Sequence, residues 1–312
     1  MRAVLVGEVR TAEHALRGLL QAGKPPISMF TTDVNQVQRN SGMGPDYYCD
    51  LVALGRDHAI EAHVVSDLED LSARIRALKP DLLWIMGWPY LVRSPILEVA
   101  MCIGMHPTPL PRRRGGAPMN WTVLDGEPSS AVTLFRMGPG LDDGDILMQR
   151  AFVIRDSDYV GDVAQSVYEL TEELVAESMS ELGSESVRWQ PQDHSRATFT
   201  RRRRPADGHI EWRESSVRIR NLIRATSHPF PGAFTLLGQK VVRIWRGELP
   251  LGYRAPLRAA PGSIIEVTDT GVMISTGDNA LLVTEIQFEG EPATISSQVG
   301  SRLAGHLGYS FG

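Results

Sequence analysis

His106 closes an apolar run, MCIGM, and opens a loop crowded with Pro, Arg and Gly; Asp142 lies in a second glycine-rich stretch, GPGLDDGD. An imidazole titrates near neutral pH, and a carboxylate beside it orients and charge-balances it, which makes a general acid/base unit. Pro107, Pro109 and Pro111 stiffen the first loop, while Gly115 and Gly116 let backbone approach a ligand closely. Gly140 and Gly144 flank Asp142. The plainer readings are a structural loop histidine and an aspartate bonding its own turn. Spacing alone does not bring the two side chains together.

The elements that must position them alternate. AVLVG (3–7), ISMFTTD (27–33), AHVVS (62–66), DLLWIMGW (81–88) and MCIGM (101–105) are apolar runs of strand length. Between them lie helical patterns over 12–23, 47–60 and 67–78, the last with an acidic first turn that suits the helix dipole. Strands separated by helices imply right-handed crossovers and a mostly parallel sheet. A helix over 117–127, strands over 131–137 and 146–154, and a long helix over 159–182 complete a domain spanning 1–189. The polar stretch 190–208, with four arginines at 201–204, reads as an interdomain linker. From 209 to 312, one helix (215–228) and short glycine-punctuated strands suggest a small β-barrel. The fold class is α/β, a Rossmann-like domain followed by a barrel of OB type.

In open α/β sheets ligands bind beyond the carboxyl ends of the strands. Three segments occupy such ends: Met86-Gly87-Trp88, the His106 loop, and Gly138 to Asp145. The first turn, GEVRTAE, carries neither G-x-G-x-x-G nor a P-loop pattern, so a dinucleotide or triphosphate cradle has no support. The formal charge of −5 provides no overall field for nucleic acid. Two cysteines, Cys49 and Cys102, form neither a disulfide framework nor a zinc pattern, so no metal and a reducing, cytoplasmic setting are expected. The opening apolar run is too short for a signal peptide's core, and no stretch has the length of a membrane span.

HPTPLPRRRGGAPMNW followed by AVTLFRMGPGLDDGDIL resembles the formyltransferases that use 10-formyltetrahydrofolate. HIEW (209–212) and IRATSHPFPGAF (223–234) resemble the opening of that family's C-terminal barrel. The likeness is closest to the domain that formylates UDP-4-amino-4-deoxy-L-arabinose. It implies that His106 and Asp142 are two of three catalytic residues. The third, an asparagine, would stand at position 104, where this chain has Gly104.

The implied chemistry is attack of an uncharged amine on the formyl carbon, giving a tetrahedral intermediate with a negative oxygen. His106 takes the amine's proton, Asp142 raises its basicity, and the asparagine amide donates to the oxyanion. Loss of such a donor costs on the order of 3 kcal/mol. Three explanations of Gly104 stay open at this stage. Another donor serves, such as Asn120, Thr108, a water or a backbone N–H; or the reaction is a modified one-carbon transfer; or the protein binds folate with weakened catalysis.

The resemblance further implies that Met86, Gly87, Trp88, Gly140, Leu141 and Asp142 surround the pterin, largely through backbone groups. Trp88 is equally readable as core. Thr108, Arg112, Arg114, Gly115 and Asn120 are expected to line the acceptor site, with Arg112 to Arg114 facing an acidic substrate such as a sugar-nucleotide pyrophosphate. Their plainer role is to tie the loop to its own domain. The family's tRNA-modifying members carry a basic insertion after the second strand. Residues 34–48 here hold one arginine and no lysine, which argues against methionyl-tRNA, since RNA affinity rests on phosphate neutralisation. The acceptor expected is a small amine, most simply a nucleotide-linked amino sugar. No nucleic-acid or membrane partner is expected, and a homodimer is compatible with the reading.

Overall fold

The computed structural model describes residues 1–33, 43–88, 90, 92, 94–184, 187–256 and 259–312. They form two compact units. The first comprises 1–119, 128–156 and 162–202; the second comprises 120–127, 157–161 and 203–312. The polar segment after the second strand, expected to reveal the acceptor class, falls largely on 34–42, outside the described residues.

The first unit is built on a seven-stranded sheet. Its elements in chain order are β1 (Ala3–Gly7), α1 (Arg10–Gln21), β2 (Ser28–Thr31), α2 (Leu51–Asp57), β3 (Ala62–Val64), α3 (Leu68–Leu78), β4 (Leu82–Met86), α4 (Ser94–Leu97) and β5 (Met101–His106). Then follow the two-residue β6 (Arg114–Gly115), α5 (Pro118–Leu124), β7 (Ser129–Arg136), β8 (Ile146–Val153), α6 (Val160–Leu182) and the two-residue β9 (Phe199–Thr200). The strand order is β3-β2-β1-β4-β5-β7-β8. The first five strands run parallel, and β7 and β8 are added antiparallel. Each crossover helix covers a face, so the central strands are apolar on both sides, as parallel strands must be.

Alternation divides those faces. Leu5, Trp84, Met86 and Ile103 pack with Ala12, Ala15, Leu16 and Leu19 of α1 and with Val167, Leu174 and Val175 of α6. Val4, Val6, Leu83, Ile85 and Cys102 pack with Phe30, Leu71, Ile75 and Ile96 on the other side. Helix α3 starts where its sequence says it should: the Asp67 carboxylate accepts from the N–H groups of Glu69 (2.9 Å) and Asp70 (2.8 Å). The chain leaves β1 toward β2 on one side and returns to β4 on the other. The strand order therefore reverses between β1 and β4, where such sheets open a crevice.

The linker expectation needs correction. Residues 190–202 belong to the first unit. Gln190 exchanges both backbone hydrogen bonds with Ile146 (2.8 and 2.9 Å), and β9 pairs with β6. A polar segment with unpaired N–H and C=O groups finds partners on a sheet edge and a neighbouring loop, whatever its hydropathy suggests. Residues 120–127, expected inside the first domain, belong to the second unit.

The second unit holds α7 (Ser216–Thr226), β10 (Ala233–Leu237), β11 (Lys240–Glu248), β12 (Ile264–Thr268), β13 (Gly271–Ser275), β14 (Ala280–Phe288), β15 (Thr294–Ile295) and α8 (Ser297–Leu303). The strand order is β10-β11-β14-β13-β12, all antiparallel. The chain's last residues bridge the two edges. Gly312 exchanges backbone bonds with Leu236, while Phe311 donates to Gly262 and Gly308 to Ile264. Joining both edges removes the exposed strand margin of an open sheet, as the barrel reading requires. Val242, Ile244, Val272, Ile274, Val283 and Ile286 fill the interior against Ile219 and Ile223 of α7.

Candidate active site

His106 is the last residue of β5, level with Thr133 of β7, and is 5% exposed. Its Nε2 lies 2.8 Å from the carbonyl of Arg113. A carbonyl only accepts, so Nε2 carries the proton in the neutral ring and the lone pair falls on Nδ1. Nδ1 faces Asp142 Oδ2 at 3.6 Å, an ion-pair distance too long for a hydrogen bond. Burial pulls the His106 pKa down, and this outweighs the upward effects of Asp142 and of the Arg113 carbonyl; the Arg114 charge adds to the decrease. The ring is therefore neutral at pH 7, with a proton-accepting nitrogen beside a carboxylate.

Asp142 does not bond its own turn. Its Oδ2 accepts from the backbone N–H of Gly115, 2.8 Å away, and its backbone sits in the left-handed region at φ 49°. Aspartate tolerates that conformation better than most side chains. The turn around it needs its glycines. A Cβ on Gly140 would stand 1.9 Å from Asp143 Oδ2, and one on Gly144 would stand 1.7 Å from the Arg136 carbonyl.

Gln192 locks this turn. Its Nε2 donates to the carbonyls of Asp142 (2.9 Å) and Gly144 (2.6 Å). Its Oε1 accepts from Arg114 Nη2 (2.7 Å) and Nε (3.2 Å), and Arg114 Nη2 also meets His194 Nδ1 at 3.1 Å. The β6–β9 pairing fixes the neighbouring Gly115. Both loops are thus tied to the segment 192–200. Sequence reasoning missed Gln192 and His194, because a polar stretch between domains carries no periodic signal.

Several expected acceptor residues are committed elsewhere. Arg114 is 4% exposed and directed at Gln192 and His194, so it anchors the loop and does not face an acidic ligand. The Thr108 hydroxyl is buried and donates to the Arg112 carbonyl at 2.9 Å. The Asn120 amide donates to the Ala225 carbonyl at 2.8 Å, within the second unit. Arg112 is exposed, and Gly115 acts through its N–H on Asp142. Of the arginine run, Arg202 lies against Gly116, Arg203 stacks 5.0 Å from the Trp121 ring, and the Arg204 N–H donates to Asp207.

Gly104 lies mid-strand, level with Ile85 and Phe135. A Cβ there would meet Met137 Cγ at 3.1 Å and Phe135 Cε1 at 3.2 Å. An asparagine side chain there would need Met137 and Phe135 to shift by a few tenths of an ångström. The hydroxyl proton of Thr108 is committed to Arg112 and one N–H of Asn120 to Ala225.

At the end of β4, Met86 is fully buried in the core, Gly87 is exposed with φ 60°, and Trp88 packs half-buried with its ring edge to Tyr90. Trp88 Nε1 and Thr11 Oγ1 are buried without hydrogen-bond partners among the described residues, and a Cβ on Gly87 would lie 2.8 Å from that hydroxyl. Leu141 is 47% exposed across the edge. Bare glycine, orphaned polar atoms and an exposed leucine are what a flat, polar-edged ring system would satisfy.

Residues 11–179 match the family model described as formyl transferase, and residues 203–300 match the formyl transferase C-terminal domain. The chain belongs to the formyl transferase family. It is 32% identical to methionyl-tRNA formyltransferase of Anaeromyxobacter dehalogenans over 97% of both chains, and 28% identical to that of Alkaliphilus oremlandii over 93% of both. In fold it is similar to the N-formyltransferase from Helicobacter canadensis, solved with folinic acid and dTDP-3-aminofucose. That match has a TM-score of 0.66, with 19% identity over 91% of this chain and 98% of the other. This formyltransferase, then, is an enzyme of formyl transfer. Among its described residues no group of three His, Cys, Asp or Glu is placed to hold a metal ion, and no helix is long and apolar enough to cross a membrane.

Proposed function

We propose that this formyltransferase N-formylates a small amine, a nucleotide-linked amino sugar, taking the formyl group from 10-formyltetrahydrofolate. The observation that carries the chemistry is the buried His106–Asp142 pair, 3.6 Å apart, with the imidazole lone pair on Nδ1. 10-Formyltetrahydrofolate supplies a formyl group activated for transfer to nitrogen. Trp88 Nε1, the backbone at Gly87, and the Gly140–Leu141–Asp142 turn would hold its ring system. His106 Nδ1 accepts the proton that the attacking amine sheds. Asp142 then stabilises the imidazolium, the Arg113 carbonyl keeps the ring oriented, and the proton passes to N10 as the bond between N10 and the formyl carbon breaks and tetrahydrofolate leaves. Gly104 contributes no donor to the formyl oxygen.

The acceptor assignment rests on charge. The chain carries −5 overall, and the segment after β2 has a single arginine. A tRNA acceptor would call for a basic surface. The Helicobacter canadensis relative was solved with an amino sugar on a nucleotide, which supports the same reading. The test is incubation of the purified protein with 10-formyltetrahydrofolate and, separately, dTDP-3-aminofucose, UDP-4-amino-4-deoxy-L-arabinose and methionyl-tRNA. Mass spectrometry should find one added formyl group on a sugar nucleotide; no gain on any amine overturns the reading.

A second reading, methionyl-tRNA formylation, is favoured by the names of the curated relatives. Formylation of methionyl-tRNA with steep salt dependence, and none of either sugar, would establish it in place of the first.

A further inference from the structure

The carboxyl edge of the sheet holds a second buried ionisable group. Glu8 follows β1 directly, is 3% exposed, and has no cation paired with it among the described residues. Its Oε2 accepts from the Thr32 hydroxyl at 2.5 Å, and its other oxygen has no donor among those residues. Neighbouring groups do not neutralise it. Burial pushes the pKa values of Tyr47 and Cys49 up, Cys49 to about 12, and the nearby Glu8 charge adds a small part of that rise. Burial raises the pKa of Glu8 itself. Its uncommitted oxygen is not fully enclosed, so a positively charged group can reach and complete a carboxylate that burial leaves poorly solvated.

Strand register locates the carboxylate relative to the His106 pair. Val6 is level with Phe30 and with Ile85, and Ile85 is level with Gly104. Two residues further along each strand, Thr32, Glu8, Gly87 and His106 come level. The Thr32–Glu8 hydrogen bond obeys this register. Val6, Phe30 and Ile85 share one face of the sheet, and Thr32, Glu8, Gly87 and His106 stand together at its carboxyl edge, the first three directly after β2, β1 and β4 and the last at the end of β5. Glu8 and His106 are two strands apart, roughly 10 Å between backbones, with Gly87, which has no side chain, between them. This is also the crevice where the strand order reverses. Thr11 Oγ1 and Trp88 Nε1 lack partners there too.

From this arrangement we infer that Glu8 is the binding group for the cationic amine of the acceptor: it receives the ammonium, which gives one proton to solvent to become the attacking amine, and His106 takes the second as the C–N bond forms. The inference rests on the proposed amine formylation for its biological meaning, but the ammonium site itself is testable without catalysis. The ligand class is a primary ammonium: it offers N–H donors and a positive charge to the free carboxylate oxygen, which a hydroxyl or a quaternary amine does not.

The direct test is titration of the full chain, carrying 13C-labelled glutamate side chains, with methylammonium chloride at fixed pH, against tetramethylammonium chloride at the same ionic strength. The Glu8 carboxyl resonance, assigned by its loss in Glu8→Gln, should shift saturably with methylammonium and stay put with the quaternary salt. No saturable shift, or an equal response to both salts, overturns the proposal. A saturable shift in a protein that formylates no amine would uphold the ammonium site and refute the formylation reading, so the two failures are distinct.

In steady state with whichever amine is formylated, Glu8→Gln should raise KM tenfold to a hundredfold with kcat changed less than threefold and tetrahydrofolate binding unchanged. Thr32→Val, which keeps the charge but removes the hydrogen bond that positions it, should raise KM by less than Glu8→Gln does. If Glu8→Gln leaves KM within twofold, or weakens tetrahydrofolate binding by the same factor as the amine, Glu8 belongs to the scaffold or to the folate site.

Discussion

Two buried ionisable groups stand on one sheet edge, two strands apart, and they are treated differently. His106 has an acceptor on Nε2, a carboxylate facing Nδ1, and behind that carboxylate a chain running through Gly115, Gln192 and Arg114. Among the described residues, Glu8 has one hydroxyl. The first group is held by protein on every side that matters, which suits a base whose atom must stay in place through a proton transfer. The second is left one partner short, which suits a group whose partner arrives with the substrate. Burial alone does not tell a scaffold charge from a functional one; the count of unmet partners does.

The comparison breaks first at His106. His106→Ala should lower kcat by about 10³-fold, within the range typical of a positioned general base. Tetrahydrofolate affinity, measured by calorimetry, should stay within threefold, since no folate contact is assigned to the ring. A residual rate within tenfold of the parent would remove His106 from the chemistry.

Next in size is position 104. Gly104→Asn alone is crowded by Met137 and Phe135; combined with Met137→Ala it gains the room to place an amide on the edge. An added oxyanion donor should raise kcat on the order of 10²-fold. If the double variant is no faster than Met137→Ala alone, Gly104 is not the site of a missing donor.

Asp142→Asn should lower kcat about tenfold to a hundredfold and also move the pH profile. On the proposed mechanism activity needs neutral His106, so the rate should fall as pH drops through a pKa that burial lowers from its ordinary value. Asp142 raises that pKa, so its neutralisation moves the acid limb to still lower pH. The same histidine makes folding pH-dependent. Its folded pKa lies below the unfolded one, so the unfolded chain binds the proton more readily. Stability is complete above about pH 6.5 and declines as pH falls toward the folded value. Urea melts at pH 5 and pH 8 should show that decline, and His106→Gln should reduce it.

The smallest effect belongs to the support behind the pair. Gln192→Ala removes both bonds to the Asp142 turn and leaves the Arg114 guanidinium short of its main acceptor. Stability should fall by about 2–3 kcal/mol and kcat by about tenfold through misplacement of Asp142. A variant that loses stability with kcat unchanged would show that Gln192 steadies the fold without aligning the carboxylate.

Much of the architecture was legible in the residues. The β1-to-β5 runs and the strands of the second unit fall within a few residues of their expected places, because period and punctuation report local burial directly. The linker did not. Its residues are polar, and pairing with β6 and Ile146 is a long-range backbone event with no side-chain signature. For the same reason Gln192 was invisible, while Arg114, Thr108 and Asn120 were visible and only the structure shows the hydrogen bonds they make within the protein. A side chain of the right type beside a motif looks like a ligand contact until its hydrogen bonds are known.

The amino-acid order by itself determined the alternation of strands and helices, the family, and the imidazole and carboxylate proposed to do the chemistry. These follow from residue type and near-neighbour spacing. Only the tertiary structure decided that Nδ1 is the accepting nitrogen, that Met137 and Phe135 fill the place beside Gly104, and that Glu8 comes level with His106. Register, burial and hydrogen-bond partners depend on which distant segments meet, and that is fixed only when the whole sheet closes around its core.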